Sequence, residues 1–161
     1  MADTVDDILA IPDPGRFAVA IDEHVSWLEG PDGLAGLSQA EQTVYCLGAF
    51  EREVLNGGFR LFYTNYAGDH AHATTDALRR VGAGRLAALA ERANAAFGPG
   101  GPAPEHGARN AQIAALGGAA DERWNALDEE FYSELRARPN ELPSLVRAYV
   151  RAHRAEMRDA P

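Results

Sequence analysis

Lysine is absent from this 161-residue chain, so all 15 of its basic residues are arginine. With 31 alanines beside it, that bias fits a GC-rich coding background and is given no functional weight. Cysteine occurs once, at Cys46, which rules out an intrachain disulfide framework and a four-cysteine metal site. No apolar run approaches the roughly 20 residues that span a bilayer, so no transmembrane helix is expected. Positive charge is missing where a secretory signal would need it, because the chain opens Met1-Ala2-Asp3-Thr4-Val5-Asp6-Asp7. The expected location is therefore the cytoplasm. Period-two alternation is nowhere sustained and valine and isoleucine are sparse, which disfavours strands. The length suits one domain able to bury its own core.

What the chain has in excess is acid: 24 Asp and Glu, for a formal net charge of −9. Such a surface repels phosphate, so neither nucleic acid nor an anionic membrane is expected as a direct ligand. The excess is lopsided. Residues 1–60 hold 11 acids and three arginines, a balance of −8, whereas residues 61–161 hold 13 acids and 12 arginines, a balance of −1. Two readings of that excess stand: a solvated acidic surface that keeps the chain soluble, and a docking face for a cationic protein on Asp22, Glu23, Glu29, Asp32, Glu41, Glu51 and Glu53.

Helix-period signals run through the sequence and predict an all-α, single-domain bundle of seven or eight helices over residues 1–161. Thr4 or Asp6 caps a short first turn. Phe17, Ile21, Val25 and Leu28 mark one face of the next helix, which Gly30-Pro31-Asp32-Gly33 ends. Ser38-Gln39-Ala40-Glu41 is a capping box opening a helix that Asn56-Gly57-Gly58 closes. Phe59, Phe62, Tyr63 and Tyr66 form an aromatic stripe. Further helices are expected from Thr74 or Thr75 to Val81, over Leu86 to Phe97, weakly over 108–116, from an Asp121 cap to Pro139, and a last one with Pro143 in its first turn. The expected core includes Phe17, Ile21, Val44, Leu47, Phe59, Phe62, Leu86, Trp124, Phe131 and Tyr149.

Chemistry-bearing patterns are weak. His70 and His72 lie two apart, which on a helix points them to different faces, and they read as exposed loop histidines with no metal. Cys46 has no base beside it and reads as a buried small hydrophobe. Asn56-Gly57-Gly58-Phe59 follows a helix and lacks the Lys-Ser/Thr of a phosphate loop. Asp128 falls in phase with Trp124, Phe131 and Leu135, so it faces inward and needs an arginine or a backbone N–H at a helix start as partner. No catalytic residue, metal or cofactor is expected.

The run from Glu53 to Gly68, with Asn56-Gly57-Gly58-Phe59, Phe62, Asn65 and Gly68 at its centre, resembles the core motif of the DNA-mimic protein family typified by the nineteen-kilodalton DNA-mimic protein. Ala77 to Ala83, Leu127-Asp128-Glu129-Glu130-Phe131-Tyr132 and Tyr149-Val150-Arg151-Ala152-His153 resemble its later segments, in order. The resemblance covers residues 36–155, with residues 1–35 as an acidic helical extension packed on that domain. It implies an all-α fold, no catalysis, motif residues that serve as scaffold, and an acidic surface that occupies the basic face of a DNA-binding regulator; a homodimer is compatible with it. The arginines of the C-terminal half, among them Arg79, Arg80, Arg85, Arg92, Arg147, Arg151, Arg154 and Arg158, are a departure, since they interrupt any row of carboxylates. Two other readings stand beside it: an immunity or inhibitor protein for a cognate toxin, and an enzyme or metal protein built on the histidines and carboxylates.

Overall fold

Side-chain caps set where the first helices begin. In the computed structural model, which describes residues 4–159, Thr4 accepts from the Asp7 N–H and Asp7 returns a bond to the Thr4 N–H, opening α1 (Val5–Leu9). Asp13 caps α2 (Pro14–Leu28), where Pro14 occupies a first-turn position that needs no N–H. Ser38 and Glu41 form the capping box of α3 (Gln39–Thr64). The remaining helices are α4 (Ala71–Arg80), α5 (Gly84–Asn94), α6 (His106–Leu116), α7 (Gly118–Ala137) and α8 (Glu141–Ala152), joined in places by short 3-10 turns. The described residues contain no strand, and none of their helices is long and apolar enough to cross a membrane.

The chain is an all-α, single-domain bundle organised around α3, which packs against α2, α4, α6 and α7. Phe50, Phe59, Phe62, Tyr63, Trp124 and Phe131 fill its centre, and Phe50 meets Phe62 and Phe131 edge to face at 5.2 and 5.6 Å between centroids. That geometry sets the positive edge of one ring against the negative face of the next. The other expected core residues are buried as well, except Tyr149, which is half-buried and donates its hydroxyl to Thr43.

The helix break at Asn56-Gly57-Gly58 lies inside α3: Gly58 takes φ +74° and ψ −175°, and a new helical run starts at Phe59. Asp128 on α7 accepts the Phe59 N–H at 2.7 Å and caps that start. The partner the sequence required for Asp128 is therefore a backbone N–H.

Four local expectations are corrected. Tyr66 leaves the aromatic stripe because the helix ends at Thr64; it is 72% exposed and stacks on His106 at 4.2 Å. The helix expected from Thr74 or Thr75 begins earlier, at Ala71, running on from a 3-10 turn over Tyr66–His70. His70 and His72 thus lie on structured elements and not in a loop: His70 is half-buried against Tyr45, while His72 is exposed, as expected, and shares a hydrogen bond with the Pro102 carbonyl. Asp121 does not cap α7, which starts at Gly118; it pairs with Arg60 instead.

The C-terminal segment returns to the N-terminal one. Arg147 lies 4.5 Å over the Phe17 ring and donates to the Ile11 carbonyl at 2.8 Å. Arg154 pairs with Asp6 and Asp159, and Asp159 accepts the Val5 N–H at 2.8 Å. Arg158 pairs with Glu41 at 2.7 Å, and its carbonyl is bonded to His24. Some of the arginines that interrupt the acidic pattern in sequence are thereby spent on the acids of the first 60 residues.

Candidate functional site: the acidic face of α2 and α3

The seven carboxylates expected at a partner surface separate into three groups. Glu41 does not reach the surface at all. It is 0% exposed and takes bonds from the Arg158 side chain, the Arg158 N–H and the Ser38 N–H. Burial pushes its carboxyl up, but those donors together outweigh it and hold it below its ordinary value. Glu41 is a structural anchor and leaves the set, because a buried, saturated carboxylate has nothing to offer a partner.

Asp22 and Glu51 sit where α2 crosses α3. Gly48 makes that approach close: any side chain there would run into the Asp22 carboxylate. One oxygen of Asp22 pairs with Arg52 at 2.5 Å, while Oδ1 is buried with no hydrogen-bond donor. Burial pushes the Asp22 carboxyl up, against the pull of Arg52. Burial, helped by the charge of Asp22, pushes Glu51 up as well. Glu51 has no ion-pair partner among the described residues.

A carboxyl whose folded value lies above its unfolded value stabilises the fold only while it is protonated, and that contribution is lost as pH rises through the folded value. Glu51→Gln is therefore expected to melt above the parent at pH 7 and to lose that advantage as pH falls toward 4, which thermal melts across that range check directly.

Glu23, Glu29, Asp32 and Glu53 complete the set. Glu23 and Asp32 are exposed, and Glu29 and Glu53 are half-buried. Glu53 accepts from the Asn65 side chain at 2.9 Å. Glu29 lies by Tyr45, whose phenol is pushed up to about 12 by burial first and by Glu29 second. None of these four is in an ion pair among the described residues.

Beyond residue 60 the pattern reverses. Asp76 and Glu91 pair with Arg79, Glu134 and Glu141 with Arg85, and Glu130 with Arg92. The lopsided charge therefore persists in space as a difference in pairing: Glu23, Glu29, Asp32, Glu51 and Glu53 on α2, its exit and the middle of α3 have no ion pair, while the acids of α4 and α5 are matched and α7 pairs Asp121, Glu130 and Glu134 but not Glu122, Asp128 or Glu129.

The motif residues are built into the fold. Gly58 lies against the Asp128 carboxylate, whose carboxyl is raised by burial against the Phe59 hydrogen bond. Asn56 is exposed at the break. Phe59 and Phe62 are core, and Asn65 ends α3. Gly68 is buried against the Arg109 guanidinium, where a Cβ would not fit.

Arg109 is the residue the sequence did not point to. It is 0% exposed and donates to the Tyr63 carbonyl at 2.6 Å, the Ala103 carbonyl at 3.0 Å, the Asn65 carbonyl at 3.0 Å and the Asp69 carboxylate at 2.7 Å. A single arginine in a weakly amphipathic helix has no sequence signature that separates it from a solvated one.

Among the described residues no three His, Cys, Asp or Glu gather to hold a metal ion. Cys46 is buried and its thiol is pushed up to about 12 by burial, which keeps it protonated and unreactive. A shallow groove of about 430 Å³ lies between α4, α5 and the glycine-rich loop at 98–101. Its charged residues Asp76, Arg79 and Glu91 are already engaged with one another.

The turn-motif residues are thus scaffold of an all-α domain, and Glu23, Glu29, Asp32, Glu51 and Glu53, on α2, its exit and α3, are acids without an ion pair. The model of the DMP19-like protein family matches residues 35–153. The chain belongs to that family. No curated protein and no solved structure matches the chain.

Proposed function

We propose that this protein is a non-catalytic interaction module whose acidic face takes the place of DNA on the basic surface of a DNA-binding protein. The observation that carries this reading is the set of carboxylates on and around α2 and α3 with no cationic partner in the fold: Glu23, Glu29, Asp32, Glu51 and Glu53. Membership of the DMP19-like family supports it. Unpaired surface acids leave a negative field that speeds encounter with a basic partner and falls away with salt. Arg52, paired with Asp22, leaves the rest of that field in place.

Affinity capture from the native host, with the parent and a Glu23→Lys, Asp32→Lys variant side by side, tests the proposal. The parent is expected to retain a protein that also binds duplex DNA, that DNA displaces, and that the variant fails to hold. Affinity is expected to fall by about an order of magnitude between ~0.05 and ~0.3 M ionic strength. Capture that ignores both salt and charge reversal would sink the mimicry.

A further inference from the structure

The outward side of α2 carries an aromatic feature that charge alone does not explain. Val19, Glu23 and Trp27 follow one another at intervals of four residues and so form one stripe along the helix. The opposite side, with Phe17, Ile21, His24 and Val25, is buried in the core. Val19 is 59% exposed and Trp27 is 60% exposed, whereas the only other tryptophan, Trp124, is fully buried and donates its indole N–H to the Ala93 carbonyl. A tryptophan left in water at a helix surface is unusual, and at protein interfaces the residue is enriched as an anchor. Trp27 has no aromatic or cationic partner among the described residues, and Glu23 has no ion pair.

We propose that Trp27 and Glu23 form a seat for one arginine side chain of a basic partner protein. The guanidinium stacks on the indole and donates to the Glu23 carboxylate one turn away, about 6 Å along the same face. Val19, a turn further back, takes the aliphatic carbons of the same partner segment. Arginine fits better than lysine because its planar, weakly hydrated group pairs with a carboxylate and stacks on a ring at the same time. Charge complementarity selects this occupant: Glu23 is unpaired, and so are Glu29 and Asp32 just beyond it at the end of α2. The inference rests on the acidic-face reading and specifies what that face grips.

Octa-arginine and octa-lysine peptides of equal charge, titrated into isotopically labelled full-length protein at low salt, separate the two. The indole N–H resonance of Trp27 is expected to shift while that of Trp124 stays in place. Octa-arginine is expected to bind about threefold tighter than octa-lysine. Trp27→Leu and Glu23→Gln are each expected to weaken octa-arginine about three- to fivefold and to erase that preference. Both side chains are exposed, so unchanged melting temperatures verify that the variants fold. Salt-sensitive binding with no peptide preference and no effect of either variant overturns the seat and leaves the acidic face standing. Failure of both peptides to bind overturns both. If sedimentation shows that the parent is a dimer and Trp27→Leu a monomer, the face belongs to a second copy of this chain and the arginine seat is overturned.

Discussion

Replacing Arg109 with methionine is expected to cost about 3–5 kcal/mol, the range for removing one partner from a buried charged network. Methionine keeps the apolar stem and fills much of the space, so the loss reports the guanidinium. Without it, the carbonyls of Tyr63, Asn65 and Ala103 and the Asp69 carboxylate lose their shared donor where water has little access. Those four groups belong to the end of α3, the 3-10 turn after it and the loop before α6, so one side chain fixes three segments. In a domain of this size the melting temperature is expected to drop by roughly 6–20 °C. Arg109→Lys should fall between parent and methionine, because a single ammonium does not span acceptors spread around a planar fork. Arg92→Met, which breaks the exposed pair with Glu130, is the control, with an expected change within about 1 kcal/mol. Circular dichroism melts of the three variants decide it. An Arg109→Met protein that melts with the control would show that the network does not hold the fold.

The second large effect is expected at Gly58. Its φ of +74° and ψ of −175° fall in a region open essentially to glycine alone. A side chain there also runs into the Asp128 carboxylate that caps the Phe59 N–H. Gly58→Ala is therefore expected to cost about 3 kcal/mol or more from backbone strain and the displaced cap together. The two parts are separable. In an Asp128→Ala background the collision is gone and the cap already lost, so the same substitution should cost less than it does in the parent, a coupling that a double-mutant cycle reads. Strict additivity would mean that Asp128 is not what Gly58 makes room for. Gly57, at φ −163°, lies outside the positive-φ region that favours glycine, and a side chain there meets Leu61 and no carboxylate. It should be the milder of the two.

The contrast between these residues describes what could be read in advance. Gly58 and Asp128 announce themselves: one by a glycine pair after an asparagine at the end of a helical run, the other by an acid on an apolar face. Local chemistry constrains both, since a left-handed turn selects glycine and a buried acid selects a donor. Arg109 is invisible by the same standard, because all its acceptors but the Asp69 carboxylate are backbone carbonyls of other segments, and a carbonyl leaves no trace in composition. Glu41 shows the same limit from the other side. Its capping box was legible three residues from Ser38, but its complete burial depends on Arg158, 117 positions away.

The sequence by itself determined the helical class, the start of the long α3 at a capping box, the break at Asn56-Gly57-Gly58 and the excess of acid in the first 60 residues. Each is a local or compositional property, set by backbone conformation, by hydrogen bonds spanning a few residues, or by counting charge. Tertiary structure alone decided which carboxylates remain free. Arg147, Arg154 and Arg158 come back onto the N-terminal segment, Glu41 and Asp6 are taken up in pairs, and Glu23, Glu29, Asp32, Glu51 and Glu53 are left without a cation. Pairing is a matter of a few ångströms between side chains far apart in the chain, and only the packing of α2, α3 and α8 brings those distances into being.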